Sequence, residues 1–233
     1  MKKILIIIAM LLLLLSLKLE ASACIYVSDQ GDTGWQTYTY TAGSEGFTGT
    51  VGFVVSNVID NSAYSELLLD NLSQGGGDAN GGFELGNLSG YVLVGTSFAT
   101  VSTSATAIGG YTYSPTQGDF LADLQGLYNG VATSQFYNAT GQAGTVGSIL
   151  EMDITLDDTG TFSFDWAFLG NDQSPWNDFV LFYLKDSNSG AIVFSVVLAQ
   201  IGSAPVPIPA SVLLLGSGLL GLLGLARKGK RQD

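Results

Sequence analysis

Short runs of β-branched and aromatic residues, separated by Gly-, Asn- and Asp-rich breaks, fill the sequence between residues 24 and 202. Good helix formers rarely line up at helical spacing there, so the pattern predicts an all-β domain built as an antiparallel β-sandwich. The runs are residues 36–41, 51–55, 91–94, 97–101, 149–156, 161–169, 179–184 and 191–198. Residues 62–72 are the one stretch where a helical turn or two competes with a strand.

The clearest supersecondary prediction is a hairpin formed by residues 152–156 and 161–168 around a turn at residues 157–160. In its second strand, aromatic residues alternate with small or polar ones and should therefore share one face, which we expect to lie in the core. These aromatic residues are Phe162, Phe164, Trp166 and Phe168.

Charge is distributed very unevenly along the chain. Residues 24–205 carry 18 acidic residues and the single base Lys185, a net charge of −17. Nucleic acid is therefore excluded as a partner, because phosphate binding needs clustered Lys and Arg.

The chain has no histidine, which excludes His-based triads, His general bases and the usual His-containing zinc sites. Its one cysteine, Cys24, cannot form an intrachain disulfide.

The N-terminus has the three parts of a signal peptide over residues 1–23: a basic start, an apolar run at residues 4–17 and a small-x-small sequence at residues 21–23. We predict cleavage after Ala23. One alternative is a lipobox, with Cys24 lipidated after cleavage. A second alternative is an uncleaved anchor, for which the apolar run is short.

The C-terminus has the composition of a membrane span. Residues 208–226 are apolar and Gly-punctuated over 19 positions, close to the roughly 20 that a transmembrane helix needs. The basic cluster at residues 227–231 follows directly and should stay cytoplasmic. The predicted topology therefore has the N-terminus outside and the C-terminus inside.

The order Pro-x-Pro, short apolar helix and basic terminus resembles the PEP-CTERM sorting tail. The motif that carries the resemblance is Val206-Pro207-Ile208-Pro209-Ala210, with Ile208 where the commonest form has Glu. The resemblance implies recognition by an exosortase, a membrane-embedded cysteine protease or transpeptidase, followed by release or transfer to the cell surface. The alternative is an ordinary anchor that stays in place. The predicted parts of the chain are a signal peptide (residues 1–23), an extracytoplasmic domain (24–202) and a sorting tail (203–233).

Stretches inside the domain resemble jelly-roll, carbohydrate-binding-like modules. Residues 82–91 are similar to their GFE-x-G-x-x-x-GW pattern, with Tyr91 in place of Trp, and residues 113–120 resemble the PT-x-G segment that follows it. Residues 164–169 and 176–179 resemble a later strand pair. The resemblance implies a jelly-roll fold.

By the same resemblance, neighbouring strand ends would bring Glu84 and Asp178 together to bind calcium, assisted by Asn87. Hard cations prefer carboxylate and carbonyl oxygens, which this acidic domain supplies on Gly-flanked loops. The alternative is that Glu84 caps a turn and that Asp178 is solvated or hydrogen-bonded to its own turn. Such an ion would brace loops rather than catalyse.

Trp176 is the best candidate for stacking on a sugar ring, because it follows a predicted loop at residues 171–175, although packing in that loop is the alternative. A glycosidase needs only two carboxylates, yet pairs such as Glu151 and Asp153 arise by chance in an acidic strand. We therefore predict a non-enzymatic protein, sorted to the cell surface or the extracellular polysaccharide matrix. The alternative is a calcium-braced glycan-binding module, and a glycoside hydrolase is the third hypothesis.

Overall fold

The computed structural model describes residues 24–74, 80–127 and 129–204. The chain divides into two compact units, residues 1–202 and residues 203–233. The predicted signal peptide, the sorting motif Val206–Ala210 and the predicted transmembrane helix lie outside the described residues. Within the described ranges, no helix has the length and apolar character needed to cross a bilayer.

The described part of the chain is all-β, as the sequence predicts, and each of the predicted runs overlaps a strand. The strands are β1 (Ile25–Val27), β2 (Gln36–Thr41), β3 (Phe47–Val58), β4 (Glu66–Ser73), β5 (Val92–Leu93), β6 (Phe98–Ser102), β7 (Ala105–Thr106), β8 (Thr112–Tyr113), β9 (Leu121–Gln125), β10 (Val131–Ala132), β11 (Gly144–Leu156), β12 (Thr161–Leu169), β13 (Phe179–Asp186) and β14 (Ile192–Ile201). The ambiguous stretch at residues 62–72 contributes to the strand β4.

The strands form two large sheets and one small one. The larger sheet has seven strands in the order β1-β14-β13-β3-β11-β10, with β5 also paired to β11. The smaller sheet has the antiparallel order β2-β12-β4-β9-β6, and β7 pairs with β8. Because β1 runs parallel to β14, the larger sheet is mixed, and the prediction of a purely antiparallel sandwich is wrong in this respect. Pairing of β1 with β14 joins the two ends of the domain, and no local sequence pattern indicates such a long-range contact.

An aromatic core joins the two large sheets. Phe53 of β3 lies edge-to-face against Phe164 of β12, with ring centroids 4.9 Å apart, and Phe182 of β13 packs on the same ring at 5.1 Å. Such pairs add to the free energy gained from apolar burial. The predicted core face of β12 is confirmed, since its buried aromatic side chains are Phe162, Phe164, Trp166 and Phe168.

The strands on either side of residues 157–160 belong to different sheets. β11 pairs with β3 in the larger sheet, whereas β12 pairs with β2 and β4 in the smaller one. The predicted hairpin is therefore wrong, and the turn is a connection between sheets. The side chains of Ile154 and Phe162 both lie in the core between the sheets, so each strand buries its apolar side without pairing with the other.

Candidate functional site

A groove lies along β11, at the edge of the larger sheet where β11 extends past β5. β5 pairs only with Leu150 and Glu151, and beyond this point two cavities lie beside β11, both lined by Asp153. The larger, of about 410 Å³, is lined by residues that include Thr48, Gln74, Asp153, Thr155 and Ser187. The smaller, of about 220 Å³, is lined by residues that include Asn80, Leu85, Ser89, Tyr91 and Asp153. We call the two cavities together the Asp153 groove.

Strand alternation places Asp153 in the groove. Its neighbours Met152 and Ile154 are buried in the core, so Asp153 points to the opposite, exposed face. Thr50 lies directly across the strand pair on β3, and its hydroxyl donates to Asp153 Oδ1 at 2.9 Å. The hydrogen bond from Thr50 thereby orients the Asp153 carboxylate.

Residues of the segment 80–91, which precedes β5, form the other wall, and this segment is held by Asn80. The Asn80 side-chain amide donates to the carbonyl oxygens of Asn87 at 2.9 Å and Ser89 at 3.1 Å, and its Oδ1 accepts from the Leu85 amide at 3.1 Å. Tyr91 closes the loop by stacking on the buried Phe83, with centroids 4.9 Å apart and planes 27° from parallel. The groove wall is therefore ordered by its own contacts.

Lys185, the one base between residues 24 and 205, is already paired. Its Nζ lies 2.6 Å from Glu151 Oε1, on the outer face of the larger sheet. The Tyr183 hydroxyl donates to the same oxygen, and burial, followed by the hydrogen bond and charge of Glu151, raises the pKa of Tyr183. The groove therefore has no uncommitted cation among the residues described, which disfavours anionic ligands.

Glu84 holds the loop that precedes β9. Its carboxylate accepts from the backbone amides of Asp119 at 2.9 Å and Phe120 at 3.2 Å. Gly118 has a positive φ of 66°, and a Cβ there would lie 2.2 Å from the Glu84 carboxyl carbon, so the close approach requires glycine. Two of the stretches that carry the jelly-roll resemblance, residues 82–91 and 113–120, thus contact each other through Glu84.

Asp178 lies elsewhere and is fully buried. Its carboxyl oxygens accept from the Val58 amide at 3.1 Å and the Ser65 hydroxyl at 2.8 Å. Its pKa is raised to about 8, mainly by burial; the hydrogen bonds from Ser65 and Val58 oppose this increase, and the charges of Asp172 and Asp60 contribute to it.

The structure does not bring Glu84 and Asp178 together. Ser65, the partner of Asp178, precedes β4, and Phe120, the partner of Glu84, precedes β9; these strands are antiparallel, so the two contacts lie at opposite ends of the pair. Six residues of strand separate the ends, about 20 Å at the usual rise. One ion cannot contact both carboxylates over that distance. Among the described residues, no group of three or more Asp, Glu, Cys or His side chains is placed to hold a metal ion.

Trp176 is half-buried in the loop before β13 and lies outside the Asp153 groove. Its backbone amide donates to the Gln173 carbonyl at 2.9 Å. Trp35 is committed to packing, since its indole N–H donates to the Ser114 carbonyl at 2.9 Å and its ring lies against Tyr113. Among the aromatic residues of the described ranges, Tyr91 lines the smaller cavity of the Asp153 groove.

Sequence reasoning did not select the Asp153 groove. Asp153 appeared only as part of a chance carboxylate pair, and Asn80, Leu85 and Ser89 carried no signal of their own. The available signal was strand alternation: in β11, exposed polar side chains at positions 153 and 155 alternate with buried apolar ones.

The groove offers hydroxyl, amide and carboxylate groups together with one fixed aromatic ring, which suits binding of a polar ligand. No protein-family model, no curated protein and no solved structure matches this chain.

Proposed function

We propose that this chain is an exported surface protein, sorted through its C-terminus and displayed at the cell surface or in the extracellular polysaccharide matrix as a non-enzymatic interaction module. The observation that carries the proposal is the order at the C-terminus: the motif Val206–Ala210, an apolar stretch and a basic end directly follow the compact β-domain. Signal peptidase and an exosortase would be its processing partners.

The charge of the domain supports display outside the cell. With a net charge of −17 over residues 24–205, the domain repels polyanions and other copies of itself, which favours solubility in an aqueous matrix. Two packed sheets with aromatic side chains between them are compatible with a jelly-roll-like fold, which remains part of the proposal.

Deleting residues 207–209 tests the proposal. We expect export to continue, because the signal peptide acts first, and processing of the tail to stop, because the Pro-x-Pro segment is lost. Intact-mass analysis of surface-extracted protein reports both cleavage points and any lipid on Cys24.

Deletion of residues 203–205 is the matched control, because it removes as many residues beside the motif and leaves the motif whole. Equal mature masses for the parent and the 207–209 deletion would rule out processing that depends on the motif. An ordinary membrane anchor would give the same result in all three proteins, with the tail retained.

A further inference from the structure

We propose that the outer edge of β2 is a self-association surface, at which β2 pairs with β2 of a second copy of this chain. The two strands run antiparallel about a two-fold axis at Thr39, so that the five-stranded sheets of both copies become one continuous sheet. The proposal goes beyond the proposed function and does not depend on how the C-terminus is processed.

The two large sheets leave one side of the domain closed and the other open. On the β6 side, the Val94 amide donates to the Ile149 carbonyl at 3.0 Å, and the Ile149 amide donates to the Ser97 hydroxyl at 2.8 Å. A hydrogen-bonded segment therefore closes this side. On the opposite side, Tyr40 of β2 lies against Phe194 of β14, with ring centroids 5.3 Å apart. Among the described residues, no strand pairs with the outer edge of β2.

β2 lacks the features that normally keep exposed strand edges from pairing. Residues 33–44 contain no charged residue and no proline. The register of β2 with β12 is unbroken from Gln36 to Thr41. β14, the edge of the larger sheet on this side, shows two register shifts against β13, and such irregularities hinder pairing. β2 is therefore the edge on this side that is suited to pairing.

The free backbone groups of β2 belong to three threonines. The Ala42 amide donates to the Gly160 carbonyl at 2.8 Å, and this pair continues the register of β2 with β12. Because bonded and non-bonded pairs alternate in an antiparallel ladder, the even-numbered residues of β2 bond to β12 and the odd-numbered ones present their N–H and C=O groups outward. These outward residues have exposed side chains and are Thr37, Thr39 and Thr41.

This edge is complementary to itself. In an antiparallel pair centred on Thr39, that residue faces its own copy and Thr37 faces Thr41. All these pairs are of the hydrogen-bonded type, in which each pair exchanges two backbone bonds. On the inner face Tyr38 meets Tyr40, and both kinds of cross-strand pair stabilise a sheet. A two-fold axis therefore satisfies the whole edge with its own sequence.

Association would also cover apolar surface. Tyr38 and Tyr40 are half-buried, and Ile192 and Val193, at 41% and 59% exposure, directly precede Phe194 in β14. An edge of six residues with these neighbours gives a small interface, below about 1,200 Å² in total. The dissociation constant should accordingly be on the order of micromolar or weaker.

The net charge of the domain opposes association, and the edge of β2 is where this repulsion is weak. β12 carries one carboxylate, Asp165, whose Oδ1 accepts from the Thr37 hydroxyl at 2.6 Å. Three strand spacings, at least about 14 Å, would separate it from Asp165 of the second copy. This distance exceeds the screening length of about 8 Å at 0.15 M salt. Salt should therefore strengthen the dimer, whereas it would weaken the binding of a cationic partner.

Sedimentation equilibrium of the full chain in a density-matched non-ionic detergent measures the association. We expect an equilibrium between monomer and dimer at concentrations up to about 100 µM. Raising NaCl from about 0.05 M to about 0.5 M should shift the equilibrium toward the dimer.

Matched variants locate the interface. Thr39→Pro removes the central outward N–H and no bond to β12, so the fold should tolerate it and the dimer should weaken at least about tenfold. Thr39→Lys places like charges directly opposite each other and should weaken the dimer severalfold. Thr100→Lys, on an exposed threonine in the middle of β6 at the other edge of the same sheet, is the control and should associate as the parent does. Circular dichroism checks the fold, and if Thr39→Pro fails to fold, Thr39→Lys decides.

Cysteine substitutions in a Cys24→Ser background report the register. Thr39→Cys should form an intermolecular disulfide under mild oxidation, because opposite Cα atoms in a hydrogen-bonded pair lie about 5.5 Å apart. Thr37→Cys should not, since the two copies of position 37 would lie four residues apart along the strands, roughly 13 Å.

Four results would overturn the proposal. The first is a chain that stays monomeric throughout the concentration range. The second is a dimer that neither Thr39→Pro nor Thr39→Lys weakens, as association through the C-terminal segment would give. The third is assembly that continues beyond the dimer, which indicates head-to-tail pairing of β2 with β6. The fourth is a disulfide that forms as readily at position 37 as at position 39.

Discussion

At the residue scale, three carboxyl groups that are partly or fully withdrawn from water have strongly raised pKa values. Burial is the main cause in each case, and it raises the pKa of Asp178 to about 8, that of Glu66 to about 7 and that of Asp123 to about 6. Glu66 and Asp123 lie diagonally across β4 and β9, and the charge of Asp123 adds to the increase at Glu66. At neutral pH the folded protein therefore holds protons that the unfolded chain would release.

Asp178 provides the sharpest test of this effect. Its folded pKa of about 8 lies above the ordinary value of 3.8, so between these pH values the folded state binds the extra proton and the free energy of unfolding falls as pH rises. Asp178→Asn mimics the neutral acid: its amide oxygen can accept from the Val58 amide while its NH2 group donates to the Ser65 hydroxyl oxygen. We expect the parent Tm to fall from pH 5 to pH 9 by several degrees more than that of the variant, since the linked free energy is on the order of a few kcal/mol.

Asp158→Asn is the control for Asp178→Asn, because it removes one exposed carboxylate and should leave the pH dependence of the parent. Asp178→Ala separates the effect of charge from that of hydrogen bonding. This variant has no acceptor for Val58 and Ser65, so its free energy of unfolding should be lower than that of the parent by about 1–3 kcal/mol at every pH. If the Tm of the parent and that of Asp178→Asn change in parallel between pH 5 and pH 9, the raised pKa does not belong to Asp178.

At the scale of elements, strands with regular alternation are predictable and their partners are not. The aromatic residues at every second position predict β12. The four-residue connection from β11 suggested a hairpin, because the alternation of apolar and polar residues in two strands is the same whether they pair in one sheet or belong to two facing sheets. β9 was missed because Asp123 and Gln125 interrupt its apolar residues. β7, β8 and β10 have two residues each, too few to show a period.

The candidate site was even less accessible to sequence reasoning than the fold. Glu84 was predicted to bind calcium together with Asp178, whereas its hydrogen-bond partners are the amides at positions 119 and 120, more than 30 residues away along the chain. The Asp153 groove depends on the end of β5 and on the path of the loop before it. Neither property is encoded in a local run of residues.

The loop before β9 should depend on Glu84. Glu84→Ala removes the acceptor for the amides of Asp119 and Phe120, so these amides should exchange their hydrogens with solvent faster. The free energy of unfolding should fall by on the order of 1 kcal/mol. Glu84→Gln retains an acceptor oxygen and should stay closer to the parent. Hydrogen exchange followed by NMR or mass spectrometry measures the effect.

Asp178→Ala is the spatial control for Glu84→Ala, since Asp178 contacts the opposite end of the β4–β9 pair. It should leave exchange at positions 119 and 120 unchanged. Unaltered exchange at these positions in Glu84→Ala would mean that the carboxylate does not hold the loop.

At the scale of the whole molecule, two electrostatic effects act in the same direction but respond differently to salt. The net charge of −17 over residues 24–205 destabilises the compact state through repulsion between exposed carboxylates. Glu66, Asp123 and Asp178, whose pKa values are raised mainly by desolvation, destabilise it as pH rises and they lose their protons. Salt screens exposed charges, whereas it affects buried groups much less.

The two effects can therefore be separated by measuring Tm against salt at two pH values. At pH 8, raising NaCl from about 0.02 M to about 0.5 M shortens the screening length from more than 10 Å to less than 10 Å and should raise the Tm by several degrees. At pH 5 in high salt the Tm should still exceed that at pH 8 in high salt, because the protons on the buried carboxyls stabilise the fold irrespective of screening.

Tetramethylammonium chloride should act like NaCl, since screening does not require a bound sodium ion. A Tm at pH 8 that is independent of salt would show that surface repulsion is negligible, and equal Tm values at pH 5 and pH 8 in high salt would show that the buried acids do not titrate in this range.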